Sequence, residues 1–441
     1  MTQLLSLLLA LISLCASSTI LAQPADALSP EPTQLVLSSF SQAKSILLAH
    51  HPSLQLQAAS VKRAEADIQK AVSALLPRVE IGAGTDYAFI RRPVGSDTTL
   101  ILDSRTFVPS ATGLLSVTFS LSRLASLSSS ELQRDARALS FSATRQQLLG
   151  ALAASLLGVL SAERVAARTS AGYAAAEERM RITSRLAEVG SVTALNALRF
   201  SQDLSDAKSE LVSAVEVLSQ ARRALGQALG LREAVGVIDN LDVQQLLSDC
   251  HPITQLDERL DRRAARKLVD SGAEAARAAK LAYLPELRLT SQYAARLTPA
   301  LEAQLSGGRE LVNDWSARAN LAWTVFDGGS RSSDVTRAEA DLLAQRADLE
   351  QLNIDTELEF RRSQRLVSVT SATLEAARAS VESAREIDRL SRRALELGTA
   401  TALEVVDAAR RLRAVEVTLA LREVEELAAR VRQHMTLAIC Q

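Results

Sequence analysis

Histidine, cysteine and grouped carboxylates are the side chains that carry acid-base, nucleophilic or metal chemistry. This chain of 441 residues holds four His and three Cys. His50 and His51 stand before Pro52 at the opening of a predicted helix, His251 precedes Pro252, and His434 falls in the last helical stretch. None sits in a plausible constellation with a Ser, Cys or carboxylate. Gly307-Gly308 and Gly328-Gly329 are followed by no Lys-Ser/Thr pair, so neither is a phosphate loop and both read as punctuation. An enzyme is the weakest reading, and no cofactor or metal site is expected. Thr401 with Glu404 three residues on is a capping-box pattern. Asp407 lies three further, so it shares a helix face with Glu404. Such groups act by position and charge, and the elements that position them decide the reading.

Hydrophobic residues make up 47% of the chain but aromatics only 3%, with 17 Gly and 10 Pro, a composition of long helices rather than of an all-β protein. A net charge of -1 gives no overall electrostatic case for nucleic acid. Leu4 to Leu14 is a nearly unbroken apolar run, and residues 1–22 read as a secretory signal cut after Ala22, although Met1 to Gln3 carry no Lys or Arg. Cys15 follows Leu14, a poor neighbour for lipidation, and is expected to leave with the signal. Export leaves Cys250 and Cys440 where a disulfide is allowed, with two buried thiols the more frequent outcome.

A shift of 208 residues lays Pro77 on Pro285, Glu188 on Glu396, and Gly190, Thr193, Ala194 and Leu195 on Gly398, Thr401, Ala402 and Leu403. That period is far too long for a solenoid and points to one module duplicated. After an extension at 23–38, the halves are expected at 39–232 and 259–441, with a connector at 233–258. Each half opens with a helix (Pro52 to Leu76; Leu260 to Leu284) that ends at the shared proline. Two segments of alternating polarity follow in each half, expected as strands at about 78–90 and 114–121, then 286–295 and 315–326. Period two gives one apolar and one polar face. Two hairpins docked on helices would satisfy it, and so would membrane strands with lipid outside and water inside. In the second case four strands are too few to close a barrel, no edge can stay unpaired in lipid, and the chain must oligomerise.

Long helices come next. Leu124 to Glu188 as one helix would span about 100 Å. Spacings of four and three recur at Leu132, Ala136, Leu139, Ala143, at Leu374, Ala377, Val381, Ala384, and at Val417, Leu421, Val424, Ala428, Val431, as in coiled coils. Leu148 to Ala162, too short to cross a membrane, reads as a buried helix face. Gly190 and Gly398 suit left-handed positions beyond a helix end, and Thr193 and Thr401 suit N-caps of the next. Two helical hairpins should therefore point their tips away from the strands.

Leu75-Leu76-Pro77-Arg78 and Tyr283-Leu284-Pro285-Glu286 precede strands, Trp323-Thr324-Val325-Phe326-Asp327-Gly328-Gly329 closes the last, and Glu396-Leu397-Gly398-Thr399-Ala400-Thr401-Ala402-Leu403-Glu404-Val405-Val406-Asp407 forms the second tip. In these segments and in its duplicated order the chain resembles the TolC family of outer-membrane efflux and export channels. The resemblance implies a mainly α fold with a membrane β-barrel portion: a homotrimer of twelve strands in outer-membrane lipid, continued by a coiled-coil α-barrel through the periplasm of a Gram-negative bacterium. It implies an adaptor protein that grips the tip turns at Gly190, Thr193, Gly398 and Thr401, and an inner-membrane pump of the resistance-nodulation or ABC type. The acids that narrow the family's periplasmic entrance fall on Glu404 and Asp407. Each would become a ring of three carboxylates favouring cations, though Glu404 equally fits the capping box.

The first tip departs from the family, with Asn196 and Arg199 where the second has Glu404 and Asp407. The acid that some members carry at Asn196 and the base they carry at Ala400 are absent, and with them that closed-state link. Three functions compete: a passive channel for small molecules in a tripartite exporter, the outer-membrane part of type I protein secretion, and an exported coiled-coil scaffold without a pore. If Arg199 pairs with a neighbouring tip acid, Arg199→Ala raises conductance and drug leak. Unchanged values in both assays would discard the pairing.

Overall fold

The computed structural model describes residues 28–93, 101–188, 193–238, 250–253, 255–299 and 309–440. The expected signal at 1–22 with Cys15, the expected turn at Gly190 and the pair Gly307-Gly308 lie outside these. In chain order the elements are β1 (Leu35–Leu37), α1 (Phe40–His50), α2 (Pro52–Ser73), β2 (Arg78–Pro93), β3 (Ile101–Phe119), α3 (Leu121–Glu188), α4 (Ala194–Leu229), β4 (Val235–Val237), β5 (Cys250–Pro252), a 3-10 turn (Leu256–Glu258), α5 (Leu260–Leu281), β6 (Glu286–Pro299), β7 (Arg309–Ala322), α6 (Ser330–Glu396), α7 (Ala402–Thr436) and β8 (Ala438–Cys440). They divide into two compact units. One takes in the chain up to His51 with Leu148–Cys250 and Arg361–Thr436, the other Pro52–Gln147, His251–Phe360 and Leu437–Gln441.

The second unit holds an antiparallel sheet in the order β2-β3-β6-β7. Its register sets Val79, Ile81, Ala83 and Tyr87 opposite Leu115, Gly113, Ala111 and Phe107, and Leu287, Leu289 and Tyr293 opposite Leu321, Ala319 and Trp315. With successive side chains alternating, these residues share one face. Arg78, Glu80, Asp86, Ser116, Thr118, Arg288, Thr290, Arg318 and Asn320 take the other. Among the described residues no helix covers the apolar face: Ile81 is 88% exposed and Trp315 71%. The outer edges of β2 and β7 have no strand partner among the described residues.

β2 and β6 run on to Pro93 and Pro299, β7 begins at Arg309 rather than 315, and two further differences have a physical reason. β3 starts at Ile101, well before 114, because residues 101–109 pair with β2 although adjacent apolar residues and Pro109 break their alternation. Pro109 costs the sheet little, since the ladder to β6 begins only at Ser110. β7 stops at Ala322, short of 326: its last pair is with Glu286, directly after Pro285. Trp323 instead donates its indole N–H to the Tyr283 carbonyl at 3.0 Å.

Short helices α2 and α5 end a turn before Pro77 and Pro285, through backbone bonds Leu75→Val72 and Leu284→Leu281, because the residue before a proline avoids helical geometry. An arginine at the head of the next long helix reaches back to each: Arg123 Nη1 donates to Ala74 O at 2.6 Å and Arg331 Nη1 to Ala282 O at 3.5 Å. Both donors and both acceptors are 208 residues apart. Arg331 also lies over the Tyr283 ring, 4.8 Å from its centre, and pairs with Asp327 at 2.7 Å. α3 and α5 meet through reciprocal bonds, in which each hydroxyl of Ser129 and Ser271 donates to the other's carbonyl at 2.9 Å.

In the first unit, α1 buries Phe40, Ala43 and Leu47. The apolar run of α3 is buried too, with Leu152 and Val159 fully covered. α4 supplies Leu211, Val215, Leu218, Leu225 and Leu229. β1 pairs in parallel with β4 beside them. Cys250 is disulfide-bonded, which replaces the expected free thiol, and its strand β5 is paired with β8, which ends at Cys440.

Two helical glycines make opposite predictions. A Cβ at Gly226 would overlap the backbone carbonyl of Glu233, whereas one at Gly272 would meet only the free end of the Gln345 side chain. Gly226→Ala should lower stability by about 1–3 kcal/mol despite its better helix propensity. Gly272→Ala should be neutral or stabilising, as read by thermal unfolding of the purified protein.

Candidate functional site: the hairpin tips

The ends of α3 and α6 and the starts of α4 and α7 fall in the first unit. Thr193 caps α4, its hydroxyl accepting from the Asn196 amide at 3.3 Å. At the second turn Gly398 has φ 73°. Its amide donates to Leu395 O at 3.0 Å and the Thr399 amide to Ala394 O at 2.8 Å, the paired bonds of a Schellman ending. Only glycine takes that left-handed backbone without strain.

Glu404 is committed to the cap. Its Oε2 accepts from the Thr401 amide at 2.7 Å, and the Glu404 amide donates to the Thr401 hydroxyl at 3.3 Å. Asp407, one turn on, is exposed and makes no ion pair among the described residues. Arg199 is half-buried and likewise unpaired there. Between them Phe200, Ala402 and Val406 form a buried cluster with Met180 packed against it, joining the starts of α4 and α7 to the end of α3. Among the described residues no three His, Cys, Asp or Glu gather to hold a metal.

Sequence reasoning missed the main electrostatic feature, a buried ion cluster one turn beyond Arg199 and Asp407. Asp203 is 1% exposed. Its carboxylate accepts from Arg413 at 2.7 Å and Arg179 at 3.1 Å, with Arg410 Nε at 3.4 Å. Arg410 also pairs with Asp206, Arg413 Nε stands 3.6 Å from Glu210, and buried Asp388 on α6 pairs with Arg392. Three arginines thus gather on Asp203, with Asp206 and Glu210 at the more exposed margin, and the Asp388–Arg392 pair is separate. A signal was present: Asp203 occupies the buried stripe of Phe200, Ala207, Leu211 and Ala214, and Arg413 that of Val406, Ala409, Ala420 and Val424.

Burial alone would raise the Asp203 pKa, but the hydrogen bond and charge of Arg413, then those of Arg179, hold it below the usual carboxylate range. Burial foremost lowers that of Arg179. With its folded pKa depressed, Asp203 stabilises the protein above its unfolded pKa of about 3.9, and that contribution is lost as pH falls through the folded value. Asp203→Asn should cost about 3–5 kcal/mol at neutral pH by stranding buried arginines. The gap from wild type should stay constant down to about pH 4 and shrink below it, as followed by unfolding across an acid titration.

The fold has known relatives. The chain superposes on the outer membrane protein VceC of Vibrio cholerae with a TM-score of 0.76 at 15% identity, covering 90% of this chain and 95% of that one. The CmeC outer membrane channel of Campylobacter jejuni gives 0.75 at 16%, covering 90% and 85%. A membrane protein from Pseudomonas aeruginosa gives 0.76 at 18%, covering 90% and 92%. No curated protein matches the chain in sequence. The profile of the outer membrane efflux protein family matches residues 44–231 and 254–432, most of the chain. The chain belongs to the outer membrane efflux protein family.

Proposed function

We propose that three copies of this chain form an outer-membrane channel, with twelve strands closing one barrel and the long helices continuing it as a tunnel into the periplasm. The two halves at 39–232 and 259–441 would act as repeats that alternate around the wall. The observation that carries this reading is the four-stranded sheet, with one uncovered apolar face, one charged face and two open edges. Lipid suits the first face and water the second, and the antiparallel edges of β7 and a neighbour's β2 can close the ring. Transport is then passive conduction of small toxic molecules delivered by an inner-membrane pump through a periplasmic adaptor seated on the turns at Gly190, Thr193, Gly398 and Thr401. No bond is made or broken.

At the mouth the two acids divide their work. Asp407 supplies a ring of three negative charges, with Arg199 on the 208-related position as a ring of three positive ones, while Glu404 is spent chiefly on its cap. Selectivity follows from the balance of these rings.

Detergent-extracted protein should sediment as a trimer and conduct ions in planar bilayers; a water-soluble, non-conducting monomer would overturn the proposal. In the conducting trimer Asp407→Asn should lower the cation preference with little loss of stability. Glu404→Ala should instead cost about 0.5–2 kcal/mol per chain through the lost cap and move selectivity less.

A further inference from the structure

The stripes joining α4 to α7 consist mostly of Ala, Val and Leu. Small apolar side chains repeating at helical spacing fit almost equally well after a slip of one turn, so such a seam specifies contact but hardly register. A buried charge removes that degeneracy. Turning α4 by one residue, about 100°, would withdraw the Asp203 carboxylate from Arg413 and leave both in a low-dielectric interior, where a stranded charge is far costlier than a misplaced alanine.

The cluster lies where register matters. On α4, Asp203 is four residues past Arg199; on α7, Arg410 and Arg413 are three and six past Asp407. Phe200 and Val406, which pack together, adjoin Arg199 and Asp407 in sequence. From α3, Arg179 reaches the same carboxylate one residue before Met180, the side chain that packs on this contact. One carboxylate therefore ties three helices together at the level where the unpaired tip charges begin.

We propose that Asp203 is a positioning residue for the channel mouth: by holding Arg413, Arg410 and Arg179 it fixes the rotation and register of the first turns of α7 against α4, and so sets where Asp407 stands relative to Arg199. The proposal rests on the channel reading for its functional consequence, while its structural half stands apart from it. Burying the Asp203 carboxylate with Arg413 and Arg179 between helices is otherwise an expensive way to pack them, since apolar side chains of the same size serve stability as well or better.

Two measurements test it. Nitroxide labels at Leu195 and Leu403, exposed first-turn positions of α4 and α7, should give a single narrow distance distribution within one labelled protomer of the detergent-solubilised protein. Asp203→Asn should broaden or shift that distribution, and Asp203→Glu should largely keep it. In planar bilayers under a KCl gradient, Asp203→Asn should change the K+ to Cl− permeability ratio several-fold, with Asp203→Glu close to wild type. Should Asp203→Asn fail to assemble, the apolar pair Asp203→Leu with Arg413→Met, made together with Arg179→Met so that no buried guanidinium is stranded, decides. A purely structural cluster predicts that this variant recovers stability, distance and selectivity together. The positioning role predicts recovered stability with distance and selectivity still altered. Wild-type distances in the apolar variant or in Asp203→Asn overturn the proposal. A wild-type protein that conducts no ions overturns the channel reading and leaves the distance measurement to judge this one.

Discussion

A strand with a bare apolar face and unpaired backbone groups along its outer edge is stable only where something else supplies both a solvent for the face and partners for the edge. β2 and β7 pose that demand at once, and no other described element of the chain meets it. In hydrocarbon each unpaired N–H or C=O costs several kcal/mol, so the closure with other copies proposed above is asked for by the backbone as much as by the side chains. The rest of the sheet fits the same demand. Over residues 78–87, 107–119, 286–298 and 311–322 charges keep to one face, prolines stand where a ladder starts or stops, and the arginines at 123 and 331 cap the helices that lead into the strands.

Away from the sheet, the balance of forces changes. Helix seams built from alanine gain closeness, and with it dispersion, but they give up the shape information that large side chains supply. The described helices recover specificity with polar devices at a few points: the exchanged hydroxyl bonds of Ser129 and Ser271, the Gly398 ending, the Thr401 and Glu404 cap, and the ion cluster around Asp203. The hydroxyl exchange, the glycine ending and the cap are satisfied by their own neighbours, whereas the ion cluster leaves the buried Nε atoms of Arg179 and Arg413 without a hydrogen-bond partner among the described residues.

What could be read beforehand divides by range. The zigzags after Pro77 and Pro285, the left-handed glycine at 398 and the N-caps at Thr193 and Thr401 are local patterns, written in a few adjacent residues. The first half of β3 was illegible because Pro109 and its neighbours lack alternation, and only the remote partner β2 makes them a strand. The Asp203 cluster was illegible for a different reason. A charged residue on a helix is ordinarily solvated, and the residues that make this one buried lie up to 210 positions away. Its place in an apolar stripe was the available clue. Spacing likewise said nothing of whether Cys250 is bonded.

The uncovered sheet has a cost outside its final setting. If the barrel is completed by neighbours in lipid as proposed, then before that two long hairpins present greasy side chains and open hydrogen-bonding edges to water, the combination that seeds cross-β clumping. The same edges that would seal the finished wall make the newborn polypeptide hazardous company for its siblings. On that reading its passage through an aqueous compartment must be brief or escorted, and anything that slows insertion should show first as lost yield rather than as a defective product.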